Sequence, residues 1–145
     1  MDIERIPSDA IVDRAIALVQ SAESTILATE LLSDEMQPLP ERYRTVVCEK
    51  LRSGVLLQRI AFGTDEQLQK FHDINSVSKQ GYSCWLSPAA FYQRMLIVDD
   101  EKMLFAVQLG TEKMFCFSSA PAVIQDFRNY FQWILSREST VSQVL

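Results

Sequence analysis

The stretch from Phe91 to Val107, FYQRMLIVDDEKMLFAV, limits what this chain can become more than any other. Two apolar runs, MLIV and MLFAV, flank the acidic turn Asp99-Asp100-Glu101-Lys102. Met103 to Val107 is apolar without alternation, as a strand covered on both faces would be. The stretch therefore predicts two paired strands in a sheet that has helices on either side. Three side chains punctuate it at spacings i, i+2 and i+7: Tyr92, Arg94 and Asp99. Alternate residues of a strand share a face, so Tyr92 and Arg94 are expected on one side, with Asp99 past the strand end and leaning back toward them.

The rest of the chain supplies helices and strands in alternation. Pro7-Ser8-Asp9 predicts a helix start with Ser8 as N-cap, and an apolar face from Ile11 to Val19 carries the helix to about Ala22. Ser24 to Leu32 reads as a buried strand at its start, over Thr25, Ile26 and Leu27, and Glu30 falls near its carboxyl end, the edge where open α/β sheets place ligands. A solvated loop residue is the plainer reading of Glu30. Residues 33–40, SDEMQPLP, read as a loop. Glu41 to Ser53 predicts a helix stopped by Gly54, and Leu56 to Phe62 (LLQRIAF) a second strand. Thr64 and Gln67 form a capping box for a third helix, ended by Gly81. Tyr82 to Leu86 and Met114 to Phe117 add strands, and Ser118-Ser119-Ala120-Pro121 opens a last helix that runs to about Ser136. His72, the sole histidine, has no partner motif and reads as a structural or surface residue.

At 145 residues, with 48% apolar and 23% charged side chains, the chain fits one globular domain. No apolar run approaches the roughly 20 residues of a membrane span. The acidic N-terminus lacks a signal-peptide pattern, so a cytoplasmic address is expected. Cys48, Cys84 and Cys116 are far apart and belong to no metal-binding spacing, which predicts free thiols and no metal. No P-loop or dinucleotide fingerprint occurs, and no cofactor is expected. The net charge of −5, from 19 acidic and 14 basic residues, opposes attraction to nucleic acid.

Tyr92, Arg94 and Asp99, with the LIVDD run, together resemble the H-x-K-x4-D signature of the phospholipase D superfamily, here altered to Y-x-R-x4-D. The segment LRSGVLLQRIAF resembles a helix–Gly–strand segment of the same domains, and the order of elements resembles one phospholipase D-like half-domain with its core over about residues 8 to 137. The resemblance implies an α/β fold in which a mixed sheet lies between helical layers. It also implies that two motifs meet at a dimer interface, where His attacks phosphorus and Lys holds the phosphoryl oxygens. The substitutions depart from that chemistry. A phenol with a pKa of about 10 stays protonated near neutrality, and no base neighbours Tyr92 in sequence. The family's Gly-Ser pair is also replaced, by FAVQLG.

The guanidinium of Arg94 still suits a phosphate or carboxylate. Tyr92, Arg94, Asp99 and Glu30 are accordingly the candidate ligand-binding residues, with no catalytic residue among them. Degenerate relatives serve as sensor or dimerisation domains of regulators. The resemblance thus implies a non-catalytic module, a homodimer, with a small anionic ligand or a regulatory protein as partner. The alternative is a phosphodiesterase or nuclease with Tyr92 as nucleophile and Arg94 as oxyanion support. An ion pair between Arg94 and Asp99 would leave no cation for a ligand. The aromatic fringe of the last helix, Tyr130 and Trp133, offers a second dimer surface.

Overall fold

β2 (Thr25–Leu31), β3 (Leu56–Phe62) and β4 (Tyr82–Ser87) run parallel and side by side, joined by α2 (Glu41–Arg52) and α3 (Asp65–Ile74). The computed structural model describes residues 2–33, 40–74, 80–137 and 140–145; the side chains of residues 72–74, His72 among them, lie outside that description, as do most of the 33–40 loop and the approach to Gly81. On the other flank of β2, the strands β5 (Met95–Val98), β6 (Lys102–Leu109) and β7 (Glu112–Ser118) follow as an antiparallel meander. Two short strands close the edges: β1 (Glu4–Ile6) beside β7 and β8 (Ser142–Gln143) beside β4. The order across the mixed sheet is β1-β7-β6-β5-β2-β3-β4-β8.

Helices cover both faces. α1 (Ile11–Gln20), α2 and α3 bury Val19, Val47, Leu51 and Phe71 against Ala28, Leu57, Ala61, Leu96 and Val98. α4 (Pro121–Leu135) buries Ile124, Phe131 and Ile134 against Ile60, Phe62, Ile97 and Met103. Successive residues of β5 alternate between these two cores, which is why its sequence is apolar throughout. The α/β sandwich expected from the sequence is the fold observed.

Local chemistry sets the boundaries. Gly54 ends α2 with φ at 99°, while Gly54 N donates to Leu51 O and Val55 N to Lys50 O at 3.0 Å. These are the two bonds of a Schellman stop, and only glycine adopts that conformation without strain. The capping box opens α3 as expected: Thr64 N donates to Gln67 Oε1 at 3.0 Å and Gln67 N to Thr64 Oγ1 at 3.2 Å. The first helix differs from the expectation. Ser8 makes no capping bond; a 3-10 turn over Ser8–Ala10 follows Pro7, and α1 begins at Ile11. Ala10 N donates to Pro7 O, so a backbone turn does the work assigned to the hydroxyl. At the last helix Ser118 Oγ accepts from Ala120 N, and the helix proper starts at Pro121.

Candidate functional site

Tyr92, Arg94 and Asp99 are spread over three places. Pro88 opens a 3-10 turn over Ala89–Phe91, and Tyr92 leaves it with φ −65° and ψ 134°. β5 starts only at Met95, so residues 92–94 are not the strand that the sequence predicts. The expected shared face is lost as a result. The Tyr92 ring meets Phe62 edge-on at 5.5 Å, within the core beneath α4. Arg94 stands on the opposite face, its guanidinium 5.5 Å from the centre of the Phe115 ring. Between them Gln93 turns its side-chain amide to Ala106 O at 2.7 Å and so ties the irregular segment to β6.

Asp99 lies at the far end of β5. Its carboxylate accepts from Glu23 N at 2.9 Å, Ser24 N at 2.8 Å, Thr25 N at 3.0 Å and Ser24 Oγ at 2.9 Å. Burial alone would raise its pKa, but these donors outweigh it and hold the carboxyl below its ordinary value. Asp99 and Asp100 both have φ 56°, a left-handed conformation that Asp tolerates better than most residues. Asp99 thus fastens the start of β2 to the turn after β5, and it does not lean back toward Arg94. Among the described residues no carboxylate lies within ion-pair distance of Arg94.

Arg94 and Glu30 are brought together instead. β5 pairs with β2 in antiparallel register as far as Ala28↔Leu96. Continued two residues further, that register sets Glu30 opposite Arg94. The strands have begun to part there, and the Thr29 side chain fills the gap. Thr29 Oγ1 accepts from Met95 N at 2.9 Å and donates to Gln93 O at 2.6 Å, replacing the ladder bonds that would follow. The parting opens a cavity of about 100 Å³ under α1 and α2. Thr29, Glu30, Tyr43 and Arg94 line its polar side, and Ile11, Val12, Ala15, Leu104 and Phe115 its apolar side. It sits at the carboxyl end of β2, where parallel pairing gives way to antiparallel, a position open α/β sheets use for ligands.

A second cation, Arg59 on β3, lies deeper on the same face and is 3% exposed. It pairs across the ladder with Ala28. Arg59 Nη1 donates to Tyr82 Oη at 3.0 Å, and the guanidinium lies 5.3 Å from the Phe71 ring centre and 5.4 Å from that of Tyr82. Its Nε has no hydrogen-bond partner among the described residues. Burial would disfavour the charge, yet Tyr82, Glu30, Tyr43 and Cys84 together raise its pKa, so the cation persists. Burial pushes Tyr43 up to about 12, with Arg59 and Arg94 pulling down and Glu30 pushing up. Burial likewise takes Tyr82 to about 12. Tyr43 is therefore a neutral phenol placed among two cations and one carboxylate. Sequence reasoning missed Arg59 and Tyr43; the signal for Arg59 was a charge inside the apolar run LLQRIAF.

The remaining chemistry is sparse. Among the described residues the cysteines form no disulfide, and Cys84 and Cys116 are buried. Among the described residues no group of His, Cys, Asp and Glu could hold a metal, and no helix is long and apolar enough to cross a membrane.

No family model matches the chain, and no curated protein matches it in sequence. Its fold, by contrast, is found in solved structures. Nuc from Salmonella typhimurium, a phospholipase D family member, superposes over 98% of this chain and 95% of its own with a TM-score of 0.67 at 10% identity. NucT from Helicobacter pylori covers 97% of this chain and 96% of its own, with a TM-score of 0.60 at 14% identity. Phosphatidylserine synthase from Haemophilus influenzae Rd KW20 matches 97% of this chain with 38% of its own length, with a TM-score of 0.63 at 12% identity. The chain has the phospholipase D-like fold.

Proposed function

We propose that this protein is a non-catalytic phospholipase D-like module that binds a small anion through Arg94 and pairs with a second copy of itself, in the service of a regulatory partner. The observation that carries the reading is the dispersal of the motif: Tyr92 packs on Phe62 on one face, Arg94 borders a cavity on the other, and Asp99 binds backbone amides at the opposite end of the strand. A nucleophile and its oxyanion support must converge on one phosphoryl group. Tyr92 and Arg94 do not converge within this chain. Arg94, in contrast, is an exposed cation without a carboxylate partner among the described residues, at the mouth of a largely apolar cavity, which is the usual character of a ligand site. Arg94 and Glu30 are the charged side chains that line the cavity, and the buried Arg59 on the same face adds positive charge nearby.

A ligand that binds only the folded state raises the melting temperature as its concentration rises. Small carboxylates and inorganic phosphate should therefore raise the melting temperature of the wild type, and Arg94→Gln should remove the shift. A flat response in the wild type, or the same shift in Arg94→Gln, overturns this reading.

The rival reading, a phosphodiesterase or nuclease, draws its support from the fold shared with Nuc. It requires that Tyr92 of one copy and Arg94 of another meet across a dimer. In that case Tyr92→Phe abolishes turnover while the fold survives.

A further inference from the structure

We infer that the cavity between the parting ends of β2 and β5 takes a small zwitterion, an α-amino acid with a short apolar side chain, its carboxylate on Arg94 and its ammonium on Glu30. The inference rests on the reading of Arg94 as a ligand anchor and adds the chemical class of the ligand.

Glu30 and Arg94 both line the cavity, and the β2–β5 register, paired as far as Ala28↔Leu96, sets them across from each other when continued by two residues. Opposed side chains on paired strands ordinarily lie within reach of one another. Yet the two form no ion pair with each other, and neither has any other carboxylate or cationic partner within ion-pair distance among the described residues. The Thr29 hydroxyl holds the strands apart at this level, so the separation belongs to the backbone and is no accident of rotamers.

Ligand classes separate on charge. A dianionic phosphate that satisfied Arg94 would face the Glu30 carboxylate, and a simple amine that satisfied Glu30 would face the Arg94 guanidinium. A head group with both charges on neighbouring atoms meets each side chain with its opposite, and complementary charge is what gives a site its specificity. The neutral Tyr43 phenol supplies a hydrogen-bonding group that adds no charge. Arg59 does not consume Glu30: among the described residues no carboxylate lies within ion-pair distance of it, and its direct contacts are the Tyr82 hydroxyl and two aromatic rings.

Shape limits the side chain. Ile11, Val12, Ala15, Leu104 and Phe115 make the cavity wall aliphatic and aromatic. An apolar cavity of about 150 Å³ accepts benzene, so the 100 Å³ here suits a smaller group, such as the branched chain of valine.

The test is calorimetric titration of the whole chain with valine, with isovalerate (the carboxylate without the amine), with isobutylamine (the amine without the carboxylate) and with inorganic phosphate. Valine should bind at least tenfold more tightly than any of the other three. Glu30→Gln and Arg94→Gln should each weaken valine binding at least tenfold with melting temperatures unchanged. If isovalerate or phosphate binds as well as valine and Glu30→Gln leaves that affinity intact, the zwitterion inference falls while the anion reading stands. If none of the four binds, both fall.

Discussion

Asp99 is the residue whose role changes most between the motif and the molecule. Four donors converge on its carboxylate, three of them backbone amides that begin β2. Bonds to a charged acceptor contribute more than neutral ones, and Asp99→Ala leaves those amides to water or to nothing, a loss of about 2 kcal/mol. Since the folded-state pKa lies below the unfolded value of about 3.9, this stabilisation is complete above that value and is lost as pH falls through the folded-state value. Urea unfolding should therefore show the full difference between wild type and Asp99→Ala at neutral pH, and a shrinking difference below about pH 4. A difference that stays constant down to about pH 2 contradicts the assignment. The carboxylate was legible in the sequence, but its partners were not. They lie more than seventy residues away in the chain. Arg59 poses the converse difficulty: a charge within LLQRIAF marks either an edge or a paired interior, and only the rings of Phe71 and Tyr82 decide which.

At the scale of elements, punctuation was the most legible part of the sequence. Gly54 and the Thr64–Gln67 box mark their helix ends because each is a local hydrogen-bonding device that needs no tertiary context. Gly54 has φ 99°, and a Cβ added there would meet nothing within 4 Å, so Gly54→Ala encounters only backbone strain. It should lower stability by about 1 kcal/mol. A chemical-denaturation midpoint unchanged from wild type would contradict the left-handed stop. Pairing was less legible. β1 and β8 span three and two residues, too few to show a period, and they exist because β7 and β4 offer open edges. The irregular path of 92–94 was hidden for a similar reason. Alternation predicts a face only where the chain is a strand, and here Pro88 and the turn behind it delay β5 to Met95.

At the scale of the whole molecule, Tyr92 adjoins the aromatic fringe of α4 while Arg94 lies on the other face of the sheet, so a dimer surface would unite only the Tyr92 side of the motif with that fringe. Tyr130 Oη donates to Phe91 O, and the Phe91 and Trp133 rings meet edge-on at 5.8 Å. The Arg137 guanidinium lies 4.2 Å from the Phe91 ring centre and 4.7 Å from that of Trp133. Tyr92 adjoins the same surface through Phe91, and Trp133 is 47% exposed. Aromatic and arginine side chains are the types enriched at interface cores. The proposed homodimer uses this patch, and a two-fold contact feels one substitution twice. Sedimentation at micromolar concentration should give a dimer that Trp133→Glu dissociates; a monomeric wild type contradicts the pairing.

Whether Tyr92 and Arg94 perform phosphoryl chemistry decides between the two functional readings. The measurement that meets this question most directly is turnover of bis(p-nitrophenyl) phosphate by the purified protein, beside Tyr92→Phe and Arg94→Gln. With the Tyr92 ring against Phe62 and Arg94 on the other face of the sheet, no release of nitrophenolate above buffer is expected from any of the three. Turnover by the wild type that both substitutions abolish would contradict the non-catalytic reading.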